Sequence, residues 1–205
     1  MTAQAMDTVL WQGRTWALVG VDGAGLFTPQ ALGINPVMLH TAAWRGFICG
    51  YRVGEDRLTL ERLEIGFDHE THERAAAGDA PLIDGVGPTQ HGGGHAWSYA
   101  GLAMPVEFTG GLELGDRFIR ELYVHMGFAP AWKFEEVHEL RFDAGRLLSA
   151  ADRSAEMRAA RERLAGEPPS PSRASGVDRI SGWIRGTFAR RSGASRPRDP
   201  WRRDG

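Results

Sequence analysis

Four histidines lie close together, as His69-Glu70-Thr71-His72 and His91-Gly92-Gly93-Gly94-His95, with Asp68, Glu73, Asp79 and Asp84 around them. Imidazoles and carboxylates at this density can bind zinc or iron when three or four converge in a fixed geometry. An i, i+3 pair converges on a helix, but the triglycine between His91 and His95 opposes a helix there. The spacing matches no established metal motif. A metal-dependent hydrolase or related enzyme, holding Zn or Fe on His69, His72, His91 and His95, is therefore the alternative reading. The plainer one is a solvated His- and Gly-rich loop that binds no metal.

The single cysteine, Cys49, alternates with Phe47 and Tyr51 on one strand face. A nucleophilic cysteine must become a thiolate, and an apolar strand face opposes that, so Cys49 reads as buried and inert. Glu135, Glu136 and Glu139 alternate across a strand and read as a solvated face rather than an acid–base pair. Other chemistries are excluded outright. The only lysine lies in Trp132-Lys133-Phe134, so there is no phosphate-binding G-x-x-x-x-G-K-[ST] loop, and no G-x-S-x-G elbow occurs. Gly23-Ala24-Gly25 begins like a dinucleotide turn, but Thr28 takes the third glycine position and Pro29 breaks the helix that should follow.

Arg45 and His125 are the polar residues with the best claim to a ligand. Arg45 stands between Trp44 and a glycine, Gly46, that lets another backbone or a ligand approach closely. His125 ends a strand-like run before Met126-Gly127. A guanidinium fork with an imidazole binds carboxylates or phosphates. Aromatic side chains anchor interfaces, so Trp44, Arg45, Tyr123 and His125 form the candidate ligand-binding set. Arg45 paired with a glutamate of the body is the structural counter-reading.

These residues have to be positioned by strands. Val9–Trp11 and Thr15–Val19 flank Gln12-Gly13, a two-residue hairpin turn. Trp44–Val53 and Arg57–Ile65 face each other across Gly54-Glu55-Asp56. In the second run Leu58 and Leu60 share a phase while Leu63 and Ile65 are shifted by one, which predicts a bulge near Glu61-Arg62. Further strands are expected at 106–108, 118–125, 134–142 and 146–148. Residues 67–104 show little periodic pattern and read as a long loop. Ser149 is a plausible cap for a helix from about Ala150 to Ala165 with Met157, Ala160 and Leu164 on one face. The expected fold is mainly β (α+β): an antiparallel sheet or partly open barrel over 1–165, with one C-terminal helix.

Two segments, Thr41-Ala42-Ala43-Trp44-Arg45-Gly46-Phe47 and Leu122-Tyr123-Val124-His125-Met126-Gly127-Phe128, carry a resemblance. In this order they resemble a family of small, uncharacterised, bacterial β-rich proteins. The likeness covers residues 8–66 and 105–149. It implies a compact β-rich domain and brings no activity with it.

The chain has 205 residues and a net charge of −2. Residues 166–205 hold nine arginines against four acids, a charge of +5, which leaves −7 on residues 1–165. Residues 167–176 (EPPSPSRASG) read as a linker and the rest as a disordered basic tail. Within the tail, 177–191 is amphipathic, with Ile180, Trp183, Ile184 and Phe188 between arginines. That pattern suits weak contact with an anionic membrane; nucleic acid is a poorer fit. An arginine-rich end is also what a GC-rich genome encodes. No basic-then-apolar leader follows Met1, and the uncharged stretch 23–44 holds Pro29, Asn35, Pro36 and His40, so a cytoplasmic protein is expected. With no catalytic motif intact, the leading expectation is a non-enzymatic protein that binds a small molecule or another protein, without a cofactor.

Overall fold

Alternating apolar residues become strands wherever a two-residue turn joins them, and three such turns organise this chain. The computed structural model describes residues 3–90, 94–125 and 127–165. Its strands are β1 (Thr8–Trp11), β2 (Arg14–Ala24), β3 (Phe47–Gly54), β4 (Arg57–Gly66), β5 (Thr89–Gln90), β6 (Ala96–Pro105), β7 (Thr109–Phe118), β8 (Phe134–Asp143) and β9 (Arg146–Asp152). Helix α1 covers His69–Ala76 and helix α2 Ser154–Ala165. Gln12-Gly13, Glu55-Asp56 and Ala144-Gly145 all have positive φ at both positions, matching the right-handed twist of the strands they connect.

The strands form one mixed sheet in the order β3-β1-β2-β7-β8-β9-β4-β6-β5, with β3 also paired to β4. Seven of them, β3, β1, β2, β7, β8, β9 and β4, thus make a partly closed ring, and β6 and β5 extend from β4. Closure is narrow. Arg57 faces Arg146, and backbone bonds from Leu58 N to Gly145 O (2.9 Å) and Leu147 N to Asp56 O (2.8 Å) complete it. All pairings are antiparallel except β1 with β3. The parallel pair is possible because β2 and the long connection 25–46 carry the chain back to its starting end.

Period-two alternation sends Val9, Trp11, Trp16, Leu18, Cys49, Tyr51, Leu60, Leu63, Leu112, Leu114, Leu140 and Phe142 into one buried cluster inside the ring. The outer face carries a second cluster, Val19, Ala131, Phe134 and Val137, against which Met157 of α2 packs. Among the described residues no helix is long and apolar enough to cross a membrane.

The β-rich ring with a C-terminal helix agrees with expectation, and so does the bulge. Gly50 pairs with Arg62 and Tyr51 with Leu60, leaving Glu61 as the extra residue. Five expectations are corrected. Residues 67–104 hold α1, β5 and β6 rather than a loop. The strand expected at 106–108 lies instead at Thr109–Phe118, and 119–125 contains only a 3₁₀ turn at Arg120–Leu122. Helix α2 starts at Ser154, because 149–152 stays in register with β8 as far as His138 opposite Asp152. Glu139 is not on a solvated face: it is buried between Arg141 and Arg153. The linker 167–176 and the amphipathic segment 177–191 lie outside the described residues.

Candidate functional site

The parallel pairing of β1 and β3 brings the residues preceding each strand to the same end of the ring. Thr8 is opposite Gly50, so Asp7 falls beside Cys49, and Arg45 enters two residues before β3. Asp7 continues the inward phase of Val9 and Trp11 and is only 9% exposed. A carboxylate so placed needs donors. It has two, both on Oδ1: the Cys49 backbone N–H at 2.6 Å and the Arg45 Nη2. Arg45 is itself fixed. Its Nε donates to the Phe47 carbonyl at 2.7 Å, and its guanidinium carbon lies 4.4 Å from the Phe47 ring centre. The backbone carbonyl of Asp7 accepts from Leu18 N at 2.8 Å.

This pair forms one wall of a cavity of about 140 Å³, lined also by Leu18, Val21, Leu26 and Phe128. Among the described residues, Asp7 Oδ2 and Arg45 Nη1 have no protein hydrogen-bond partner, which leaves one acceptor and one donor on two residues that line the cavity. Cys49 lies next to it with its thiol pushed up to about 12, by burial first and then by the Asp7 charge. Burial likewise pushes the Tyr51 phenol well above its usual range. Both groups are neutral near pH 7. Cys49 thus serves as wall and backbone donor, as its strand phase suggested.

Gly46 holds the frame. Its φ is +84°, and a Cβ there would lie 2.5 Å from the Val37 carbonyl oxygen and 2.8 Å from Pro36 Cβ. The close approach expected at this glycine is therefore to the chain's own connection, which also bonds Val37 N to Gly66 O at 2.9 Å.

The four residues expected to bind a ligand divide into two places. Arg45 is in the cavity wall. Trp44, 55% exposed, stands beside it and donates its backbone N–H to Gln4 Oε1 at 3.2 Å. Tyr123, 54% exposed, pairs its hydroxyl with His125 Nδ1 at 2.8 Å and its ring with Phe118. Residues 4 and 5 link the two places, through Gln4 N to Gly127 O (2.8 Å) and Ala5 N to Ala42 O (2.7 Å). Phe128, not His125, reaches the cavity from the second segment. The partner of Arg45 is an aspartate, not a glutamate. Asp7 escaped the sequence reading, although its position two before Val9 and four before Trp11 is the signal that places it inward.

The histidine region places two of its four imidazoles on a helix and brings one of these against a third. His69 and His72 lie on α1, which Asp68 caps by accepting Thr71 N at 2.8 Å. His69 Nε2 is 3.3 Å from Glu73 Oε1. His72 and His95 do meet, with ring centres 4.8 Å apart. Yet His72 Nδ1 accepts the Trp97 indole N–H at 3.1 Å, which occupies a lone pair that a metal would otherwise use. His91 lies outside the described residues. Among the described residues no group of three or more His, Cys, Asp or Glu side chains is arranged to hold a metal ion.

Fold and cavity together define a small, partly closed β-barrel with an Asp–Arg pair set into one end. No protein-family model matches the chain, and neither does any curated protein or solved structure.

Proposed function

We propose that this protein is a non-enzymatic binding protein that takes a small, uncharged molecule into the Asp7–Arg45 end of the barrel. The observation that carries the reading is the cavity itself. A space of about 140 Å³ is lined by Asp7 and Arg45, each with one polar atom lacking a protein partner among the described residues, and by Leu18, Val21, Leu26 and Phe128. That is close to the ~150 Å³ that accommodates benzene in an engineered apolar cavity. The Asp7–Arg45 pair is neutral overall, so a ligand charge of either sign meets an opposing one. A primary carboxamide, with N–H and C=O on one carbon, complements adjacent acceptor and donor without that penalty. Exposed Trp44, next to Arg45 in the chain, is an aromatic surface of the kind binding sites use.

A ligand of about ten non-hydrogen atoms at ~0.5 kcal/mol per atom binds with a Kd of roughly 0.2 mM. Benzamide, benzoate and benzylamine, added at about 5 mM to isotopically labelled protein, test the reading within that affinity range. Benzamide is expected to shift the amide signals of Asp7, Leu18 and Cys49 most, and the Asp7→Asn variant to lose the response. Shifts confined to other surfaces, or none from any of the three, would overturn it.

A further inference from the structure

Three stretches far apart in the chain each bring one residue to the cavity: Asp7 from the N-terminal segment, Arg45 from 41–45 and Phe128 from the connection between β7 and β8. Leu18 and Val21 are fixed in β2. The connection 119–133 is the least regular of these walls. Its described residues form two short 3₁₀ turns, Arg120–Leu122 and Ala131–Lys133, and no strand of the ring. Among the described residues no backbone hydrogen bond runs directly between 41–45 and 119–133.

The N-terminal segment joins the two instead. Ala3 forms a parallel bridge with Gly127, Gln4 N donates to Gly127 O at 2.8 Å, and Ala5 N donates to Ala42 O at 2.7 Å. The Gln4 side chain uses both ends of its amide on the other wall: Nε2 donates to Thr41 O at 3.2 Å, and Oε1 accepts Trp44 N at 3.2 Å. Gln4 therefore bonds the residue before Phe128 and the residue before Arg45 at once.

Hydrogen bonds at the surface are each replaceable by water, so a seam made of a few of them opens more readily than the ladders beside it. The opening has a natural end. Met6 packs into the outer cluster, and the Asp7 carbonyl accepts Leu18 N at 2.8 Å, so the chain stays fixed from Met6 onward. We propose that Gln4 is a clasp on the cavity: closed, it holds the Phe128 and Arg45 walls together, and released, it lets 119–133 move aside for a ligand to pass. The gating role rests on the reading of this cavity as the binding site; the opening itself does not.

Amide hydrogen exchange in the full chain, wild type against Gln4→Ala, tests the clasp without any ligand. Loss of both side-chain bonds is expected to speed exchange about tenfold at Ala5, in the seam, and by the same factor at Cys49, whose N–H bonds Asp7 Oδ1 beside the cavity. The fully buried Leu112 and Leu140 should exchange as in wild type, since only the seam opens. Gln4→Glu keeps the acceptor for Trp44 N and loses the donor to Thr41 O, so a smaller increase of about threefold is expected. Unchanged exchange at Cys49, or equal acceleration at Leu112 and Leu140, would overturn the proposal. Benzamide, where it binds, should associate and dissociate about tenfold faster in Gln4→Ala with Kd within about twofold, because the clasp closes over the empty and the filled cavity alike. Unchanged rates would refute the gating role, whereas failure of benzamide to bind wild type counts against the binding reading and leaves the exchange result to decide the clasp.

Discussion

Asp7 and Glu113 are carboxylates of nearly equal burial with opposite surroundings. Asp7, at the mouth of the ring, receives a strand N–H and a guanidinium on one oxygen. Glu113, on the outer face, receives nothing and sits beside a second carboxylate. Burial therefore does not by itself decide which donors a carboxyl receives. The strand partners do. The parallel β1–β3 pair points the Cys49 N–H at Asp7, while the antiparallel β7–β8 ladder sets glutamate against glutamate. One carboxyl is held by two donors, and the other is pushed up by burial and a neighbouring carboxylate.

The largest expected effect comes from the frame of the first site. Gly46→Val forces a branched side chain into a positive-φ position and against the Val37 carbonyl, and should cost about 4 kcal/mol in chemical denaturation. A variant that unfolds at the wild-type midpoint would show that the 25–46 connection does not hold Arg45 in place.

Asp7→Ala comes next. It leaves the Arg45 Nη2 and the Cys49 N–H without their acceptor, a loss of about 3 kcal/mol. A loss under about 1 kcal/mol would mean that solvent already satisfies both donors.

Glu113→Gln should have the opposite sign and depend on pH. The folded carboxyl at about 7 keeps a proton that the unfolded chain releases near 4.5. The contribution of this one group is accordingly highest below pH 4.5, falls as pH rises through 4.5–7, and is lost above 7. The glutamine variant escapes that loss, so it should gain about 3 kcal/mol at pH 8 and about nothing at pH 4. A gain that is the same at both pH values would break the contrast with Asp7.

The smallest effect is expected at the exposed pair. Tyr123→Phe removes the hydroxyl that meets His125 Nδ1, and should change stability by no more than about 0.5 kcal/mol. It should also leave benzamide binding unchanged, since neither residue lines the cavity. Lost binding would extend the site to the 123–125 segment.

Much of the ring was legible in the sequence because its signals are local. Gln12-Gly13 marks the first hairpin, and the slip between Leu60 and Leu63 marks the Glu61 bulge. Strand β6 was hidden by a larger irregularity. Arg62 pairs with Ala100 but Leu60 with Met104, so the apolar alternation of Trp97 and Tyr99 breaks at Gly101, where φ is +74°. Strand β7 was hidden by its glycines. Gly115 reads as loop, yet a Cβ there would lie 2.7 Å from the Phe134 ring, and the missing side chain is what the packing requires.

By itself the sequence determined the β-rich class, the tight turns, the bulge and the inward phase of Cys49, all of which follow from the sterics of neighbouring residues. It also marked Arg45 as a residue worth following. Only the tertiary structure decided which charges share a burial site. Arg45 meets Asp7 across 38 residues because β1 and β3 run parallel, and Arg153 reaches Glu139 because β9 continues past Ala150 along β8 instead of turning helical. Partners of this kind are set by strand order and register, which no short stretch of sequence encodes, because each ladder is fixed by the apolar surface that the whole ring encloses.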